Sequence, residues 1–377
     1  MDTTSQTKET YSPGLEGVVA GETAISTLAQ GLSYRGYGIE ELTAKSTYEE
    51  VAYLILHGEL PTAKQAQDFH ARLLAAMHIP DEVVAALRSI PQGANSMDVL
   101  RSGVSLLAHW ETEVDDNSHE ANIRKTERLL AQVPVVLTAR ERLQNGQEPV
   151  AADPKLSFAA NVLWMLRGEK PSDRHIHAMD VSLILYAEHE FNASAFAARV
   201  ICSTLSDLHS AITGAIGTLK GPLHGGANER ALEVLLSVGG SAGAEKWIHD
   251  ALARKERIMG FGHRVYKTGD PRAKFLKTLT VELAHETGND DLERTADIIE
   301  TVVTREKQLP ANVDWPCARL YHYLGLPIHL FTPLFVVART VGWAAHVVEQ
   351  LDNNRLMRPR SLYVGPAPKK WTPIGER

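Results

Sequence analysis

The sequence predicts an all-α fold in two lobes, and three observations carry that expectation. Apolar residues recur at spacings of three and four along most of the chain from Ile39 onward, which marks amphipathic helices. Strand signals are confined to short pieces, and no strand-helix alternation of the kind a doubly wound sheet or a TIM barrel requires is present. At 377 residues the chain also exceeds the length, roughly 250–300 residues, at which a single core stops growing, so a cleft between lobes is expected.

Taken in order, the elements begin with a short strand pair, residues 17–20 with 32–34. Helices follow at 39–57, 63–77, 81–90, 97–110 and 120–145. Pro61-Thr62, Pro80-Asp81 and Asn95-Ser96 are stop-then-cap signals, and Gly146 stands where a C-terminal glycine belongs. Further helices are predicted at 157–167, 175–191, 194–206 and 209–219. From Gly221 the texture changes, with helices separated by Gly- and Pro-marked loops that hold most of the basic clustering. Residues 1–220 are therefore assigned to the first part of a large domain, 221–324 to a small inserted domain, and 325–377 to the return of the large domain and a tail. Residues 335–351 form a very apolar helix expected to pack on the 180–219 region or across a dimer interface. The surrounding stretch 331–348 contains Arg339 and His346, which makes it a buried helix rather than an uninterrupted membrane span. Residues 362–364 carry a last strand signal.

Bulk properties narrow the function. A net charge of -7 with 23% charged residues gives no overall basic balance for nucleic acid, so an anionic ligand would need a local basic patch. Cys202 and Cys317 are too few for a disulfide framework and lack metal-ligand spacing, which fits a reducing compartment. Residues 1–13 are polar and mixed in charge, with neither a secretory core nor an Arg-rich leader, so a cytoplasmic location is expected.

Three loops concentrate the chemistry: Gly221-Pro-Leu-His224-Gly-Gly-Ala-Asn228, Met259-Gly-Phe-Gly-His263 through Arg272, and Pro310-Ala-Asn-Val-Asp314-Trp-Pro316. His224 precedes a helix predicted over 227–238, where backbone N–H groups create positive potential and lower an imidazole's pKa. A neutral histidine there can donate a hydrogen bond to a carbonyl oxygen, or it can simply cap the helix. His263 lies in a strongly basic stretch, residues 254–277, that suits a polyanionic ligand or forms a solvated charged face. Gly260-Phe-Gly262 fits neither the Rossmann nor the Walker spacing. Asp314, before Trp315-Pro316, is either a helix N-cap or a general base for a carbon acid. Arg339 sits in an otherwise apolar helix, and a buried guanidinium demands an anion; a substrate carboxylate meets the demand as well as a protein one does, and Arg272 and Arg358 would add bidentate forks. His189 ends one helix beside another and reads equally as a core histidine or a carboxylate ligand. His175, His177 and His322 lack a third metal ligand at suitable spacing, so no metal is expected.

These residues resemble the citrate synthase family, which includes the 2-methylcitrate synthases. The resemblance runs from Gly14-Leu-Glu-Gly17 and Tyr34-Arg-Gly-Tyr37 through the 49–61 and 186–194 segments and the three loops to Asp352-Asn-Asn-Arg-Leu-Met-Arg358. It implies an all-helical homodimer in which a small domain closes over a large one. It further implies condensation of acetyl-CoA with oxaloacetate, or of propionyl-CoA in the 2-methylcitrate branch, with CoA as a co-substrate and no permanent cofactor. Under the resemblance Asp314 is the base, His224 the hydrogen-bond donor to the thioester oxygen, and His263 the acid at the keto oxygen. His189, Arg272, Arg339 and Arg358 would bind the dicarboxylate, Arg358 from the neighbouring subunit. Arg257, Ile258, Met259, Gly260, Phe261 and Lys267 would form the CoA surface. A catalytically silent CoA- or carboxylate-binding protein is the remaining alternative.

Overall fold

A three-stranded antiparallel sheet stands near the start of the computed structural model, which describes residues 11–29, 31–262, 266 and 269–377. Strands β1 (Ser26–Thr27), β2 (Ser33–Tyr34) and β3 (Tyr37–Gly38) pair in order. The β2–β3 turn is Arg35-Gly36, both at positive φ (48° and 88°), as a two-residue turn matched to strand twist requires. Strand β2 pairs with β1 on one side and β3 on the other, and the predicted strand at 17–20 is not formed; nor is the one at 362–364, which lies in the exposed tail.

Helices dominate the rest: α1 (Ile39–Lys45), α2 (Tyr48–His57), α3 (Ala63–Ala76), α4 (Asp81–Ser89), α5 (Ser96–Leu107), α6 (His119–Gln144), α7 (Phe158–Arg167), α8 (Asp173–Tyr186), α9 (Ala193–Cys202), α10 (Leu208–Leu219), α11 (Ala227–Val238), α12 (Ser241–Ala253), α13 (Pro271–Thr287), α14 (Asp290–Lys307), α15 (Asp314–Tyr323) and α16 (Phe331–Asp352). The class predicted from spacing holds. Three predicted boundaries move, each for a capping reason. The expected helix 39–57 is two helices, because Thr47 and Glu50 form a reciprocal capping box that starts α2. The expected helix 175–191 stops at Tyr186, and residues 187–192 form a loop in which Glu190 takes φ 55° and Asn192 caps α9 through the amides of Ser194 and Ala195. The helix predicted over 194–206 ends at Cys202, with Leu205 in the left-handed region at φ 68°.

Helices α6 and α16 form the spine. α16 packs against α2, α6, α8, α9 and α10, while α6 also meets α3, α4, α5 and α7. The stretch from Ile328 to Asp352 is long and apolar enough to match a membrane span, and its apolar window is wholly buried inside the fold. Helices α11 to α15 pack chiefly among themselves, α13 and α11 on α15 and α12 on α14. Its own core is anchored by fully buried Arg319, whose Nε donates to Glu293 Oε1 at 2.7 Å while Tyr323 donates to the same oxygen at 3.0 Å.

Candidate active site

The second and third motif loops are stitched together by two backbone bonds and one from a side chain. Gly262 N donates to Pro310 O (2.8 Å), Asn312 N to Gly260 O (2.9 Å) and Asn312 Nδ2 to Gly262 O (2.9 Å). Gly260 must be glycine: its φ is 90°, and a Cβ there would lie 2.9 Å from the Trp315 ring. Phe261 stacks obliquely on Trp315 with centroids 4.7 Å apart. Asp270 completes the stitch. It caps α13, grips Arg272 through both carboxylate oxygens (3.0 and 2.8 Å), and accepts from Val313 N at 3.1 Å, fixing the residue that precedes Asp314.

Asp314 stands at the first turn of α15, yet its carboxylate caps nothing, which removes the N-cap reading. Instead Oδ1 accepts a 2.7 Å hydrogen bond from Tyr186, the last residue of α8. Burial raises the Asp314 carboxyl to a pKa of about 6, the Tyr186 hydrogen bond and Arg272 opposing that rise. Burial also holds the Tyr186 phenol well above its ordinary value, so it stays a donor. A carboxylate of this basicity in a desolvated setting is a stronger proton acceptor than a surface aspartate.

His224 lies between α10 and α11, with its ring Nε2 2.8 Å from Ser194 Oγ. It is not the helix cap, a place taken by Gly226. Ser194 Oγ accepts from Trp343 Nε1 at 2.9 Å, and Asn192 Oδ1 is already served by two backbone amides. The serine proton has two acceptors in reach, Asn192 Oδ1 at 2.7 Å and His224 Nε2 at 2.8 Å; when it serves Nε2, the ring hydrogen stands on Nδ1 for a ligand. Burial, reinforced by Arg339, lowers the imidazole to about 4, so the ring is neutral at pH 7.

Arg339 is 1% exposed in α16 and donates from Nε to Tyr186 O at 2.5 Å. Among the described residues no carboxylate lies within 4.0 Å of its guanidinium. Burial lowers its pKa to about 10, with Glu188 and Tyr34 opposing and Arg272 adding repulsion. Two buried guanidinium groups that repel each other, one of them without a bonded carboxylate, form a site for an anion. His189 is 8% exposed, and its Nε2 lies 3.1 Å from the Tyr266 hydroxyl, which joins the α8–α9 loop to the basic loop.

Several sequence-predicted residues stand elsewhere. Arg358 is exposed in the tail. Arg257 is exposed, Ile258 and Gly260 are buried, and Met259 and Phe261 are half-buried. His263 and Lys267 lie outside the described residues. Among the described residues no group of three or more His, Cys, Asp or Glu is placed to hold a metal ion.

Phe335 is the residue that spacing alone did not reveal. Its ring sits 4.2 Å from Tyr186, 6.5 Å from His224 and 4.7 Å under the Arg339 guanidinium, an apolar surface shared by all three. Its position one turn before Arg339 was the available signal. Tyr186 likewise passed as an interior residue of the helix predicted over 175–191.

The chain matches the citrate synthase, C-terminal domain family over residues 14–360. It is 46% identical over 370 residues to "Citrate synthase 2" of Bacillus subtilis, covering 98% of this chain and 100% of that protein. It is 45% identical over 379 residues to "2-methylcitrate synthase" of Shewanella oneidensis, covering 99% and 100%. Among solved structures, the ternary complex of carboxymethyl coenzyme A and oxaloacetate with the citrate synthase of Thermoplasma acidophilum superposes with a TM-score of 0.93 at 34% identity, covering 98% of this chain and 100% of that one.

Proposed function

The chain belongs to the citrate synthase family, and on that premise we propose that it joins an acyl-CoA to oxaloacetate and hydrolyses the resulting thioester, with acetyl-CoA as the acyl donor. The single observation that carries the site assignment is a buried carboxylate base, Asp314, in the same site as Arg339, a buried arginine without a bonded carboxylate among the described residues.

Asp314 takes a proton from the carbon next to the thioester. His224 Nδ1–H holds the thioester oxygen as negative charge develops, and a neutral imidazole matches the weak acidity of the enol better than an imidazolium would. His263 takes the part of acid at the ketone of oxaloacetate. Arg339, Arg272 and His189 hold the dicarboxylate, joined by Arg358 from a second copy of the chain in a homodimer. The CoA surface is assigned to residues 257–261 and Lys267. The small domain is assigned to 221–324, between large-domain segments 1–220 and 325–377, and its closure dries the site so that these weak groups become effective. CoA enters and leaves as a co-substrate, no permanent cofactor is needed, and the cytoplasm is the assigned compartment.

The specific observation that keeps propionyl-CoA as the alternative donor is the 45% identity to a 2-methylcitrate synthase, next to 46% to a citrate synthase. One methylene is worth about 1 to 3 kcal/mol in an apolar pocket, so the two activities separate by packing around Phe335 rather than by catalytic residues. Oxaloacetate-dependent release of free thiol, compared for the two acyl-CoAs by kcat/KM, tests the reading. An acetyl preference supports it, a propionyl preference moves the chain to the 2-methylcitrate branch, and release with neither restores the silent-binder alternative.

A further inference from the structure

Glu188 is fully buried, precedes His189, and lies opposite α16. Its Oε1 accepts from Ser26 Oγ (3.1 Å) and meets His346 Nε2 (2.9 Å). Arg199 Nε lies 3.0 Å from His346 Nδ1 and can only donate, so Nδ1 is an acceptor and the ring hydrogen is on Nε2. His346 thus donates from Nε2 to Glu188 Oε1. The other oxygen, Oε2, has no hydrogen-bond partner and rests against the backbone of α16 at Gly342, where a Cβ would come within 2.4 Å of it and 2.3 Å of Ala187 O. Gly342 is one turn beyond Arg339 on the same helix.

We propose that Glu188 is a charge-setting, positioning residue of the dicarboxylate site: it is the protein's own counter-charge to Arg339, and it weakens the grip on the incoming dianion. The proposal rests on the oxaloacetate reading of that site. The effect is Coulombic. A guanidinium buried without a bonded carboxylate is costly, and a nearby anion that does not bond to it offsets the cost while leaving its N–H donors available to substrate. The same anion repels a bound dicarboxylate, which keeps ground-state binding loose and spares turnover from over-tight substrate and product. Arg339 and Glu188 do influence each other's ionisation, each favouring the charged form of the other. Glu188 also sets the loop, since Ser26 Oγ accepts from Glu190 N at 2.9 Å directly after His189.

The test uses the full chain and the variants Glu188→Gln and Glu188→Asp, with oxaloacetate titrated by calorimetry, KM and kcat measured, and Tm read with and without oxaloacetate. Glutamine keeps an acceptor for Ser26 and His346 while removing the charge. Glu188→Gln is expected to bind oxaloacetate on the order of tenfold tighter, with a lower ligand-free Tm, a larger ligand-induced rise in Tm, a lower KM and no gain in kcat. Glu188→Asp, which keeps the charge, is expected to bind within about twofold of wild type. Unchanged or weaker binding by Glu188→Gln overturns the proposal, and a purely structural role would show as weaker binding together with the lower Tm. If Glu188→Gln does not fold, a folded Glu188→Asp with wild-type affinity supports the need for charge, and failure of both assigns the carboxylate to packing and overturns it. Wild-type protein that binds no oxaloacetate overturns the substrate reading and the proposal with it, whereas wild-type binding with an unmoved Glu188→Gln overturns the proposal alone.

Discussion

Replacing Asp314 with Asn is expected to abolish turnover and yet stabilise the protein at neutral pH. The Asp314 carboxyl rises from its ordinary 3.8 to about 6 in the folded state, burial being the main cause. A folded pKa above the unfolded one means the native state binds more protons between about pH 4 and pH 6, so stability falls as pH rises through that window. At about 1.4 kcal/mol for each tenfold change in proton affinity, the ionised carboxylate costs the fold about 3 kcal/mol at pH 7. Asparagine removes that charge, and its amide oxygen can still accept from Tyr186. Allowing for imperfect replacement, a gain of about 2 kcal/mol is expected, which for a chain of 377 residues is a rise in Tm of about 2 to 3 °C. Calorimetry at pH 7.5 and pH 4 reads both the gain and its disappearance on acidification, and thiol release reads turnover. A variant less stable than wild type at pH 7.5 with turnover intact would refute this and make the Asp314–Tyr186 bond structural.

Tyr186→Phe removes the hydrogen bond that opposes the rise of the Asp314 pKa, so the acid limb of the kcat/KM profile, near pH 6 in wild type, should move upward by about one unit in a pH-rate series. Arg339→Gln should raise the oxaloacetate KM by about 100-fold or more while changing the acyl-CoA KM much less, as steady-state kinetics with each substrate varied will show. Gly260→Ala drives a Cβ into Trp315 at a positive φ and should cost about 2 to 3 kcal/mol in denaturant unfolding, with loss of activity through the linked Asp314 loop.

Much of the fold was legible in residue spacing because α2 to α5 and α7 to α10 each bury one face against α6 or α16, and α11 to α15 bury theirs against one another, and such burial leaves a period of three to four. Boundaries shifted where a side chain outcompeted the pattern. Thr47 and Glu50 split an apolar run that periodicity alone continues, and Asn192 captured α9 before α8 could extend across it. The strand pairing was misassigned because two-residue strands carry almost no alternation, and the turn at Arg35-Gly36 selected the partner. His224, Asp314, Arg272, Arg339 and His189 were legible because their residue types conflict with their surroundings. Tyr186, Phe335, Asp270 and Glu188 do not conflict with theirs, and their roles come from contacts between elements far apart in sequence. The cross-subunit role of Arg358 came from the resemblance alone, and within one chain Arg358 is exposed.

The central claim is that Asp314, with His224 at the thioester oxygen, removes a proton from the acyl carbon. Its most direct measurement is exchange of the acetyl-CoA methyl hydrogens with deuterated solvent, followed by mass spectrometry, with a saturated dicarboxylate filling the oxaloacetate site so that no ketone is available for attack. The account predicts exchange by the wild-type enzyme that requires the dicarboxylate and is lost in Asp314→Asn. Exchange that persists at the wild-type rate in Asp314→Asn would contradict it.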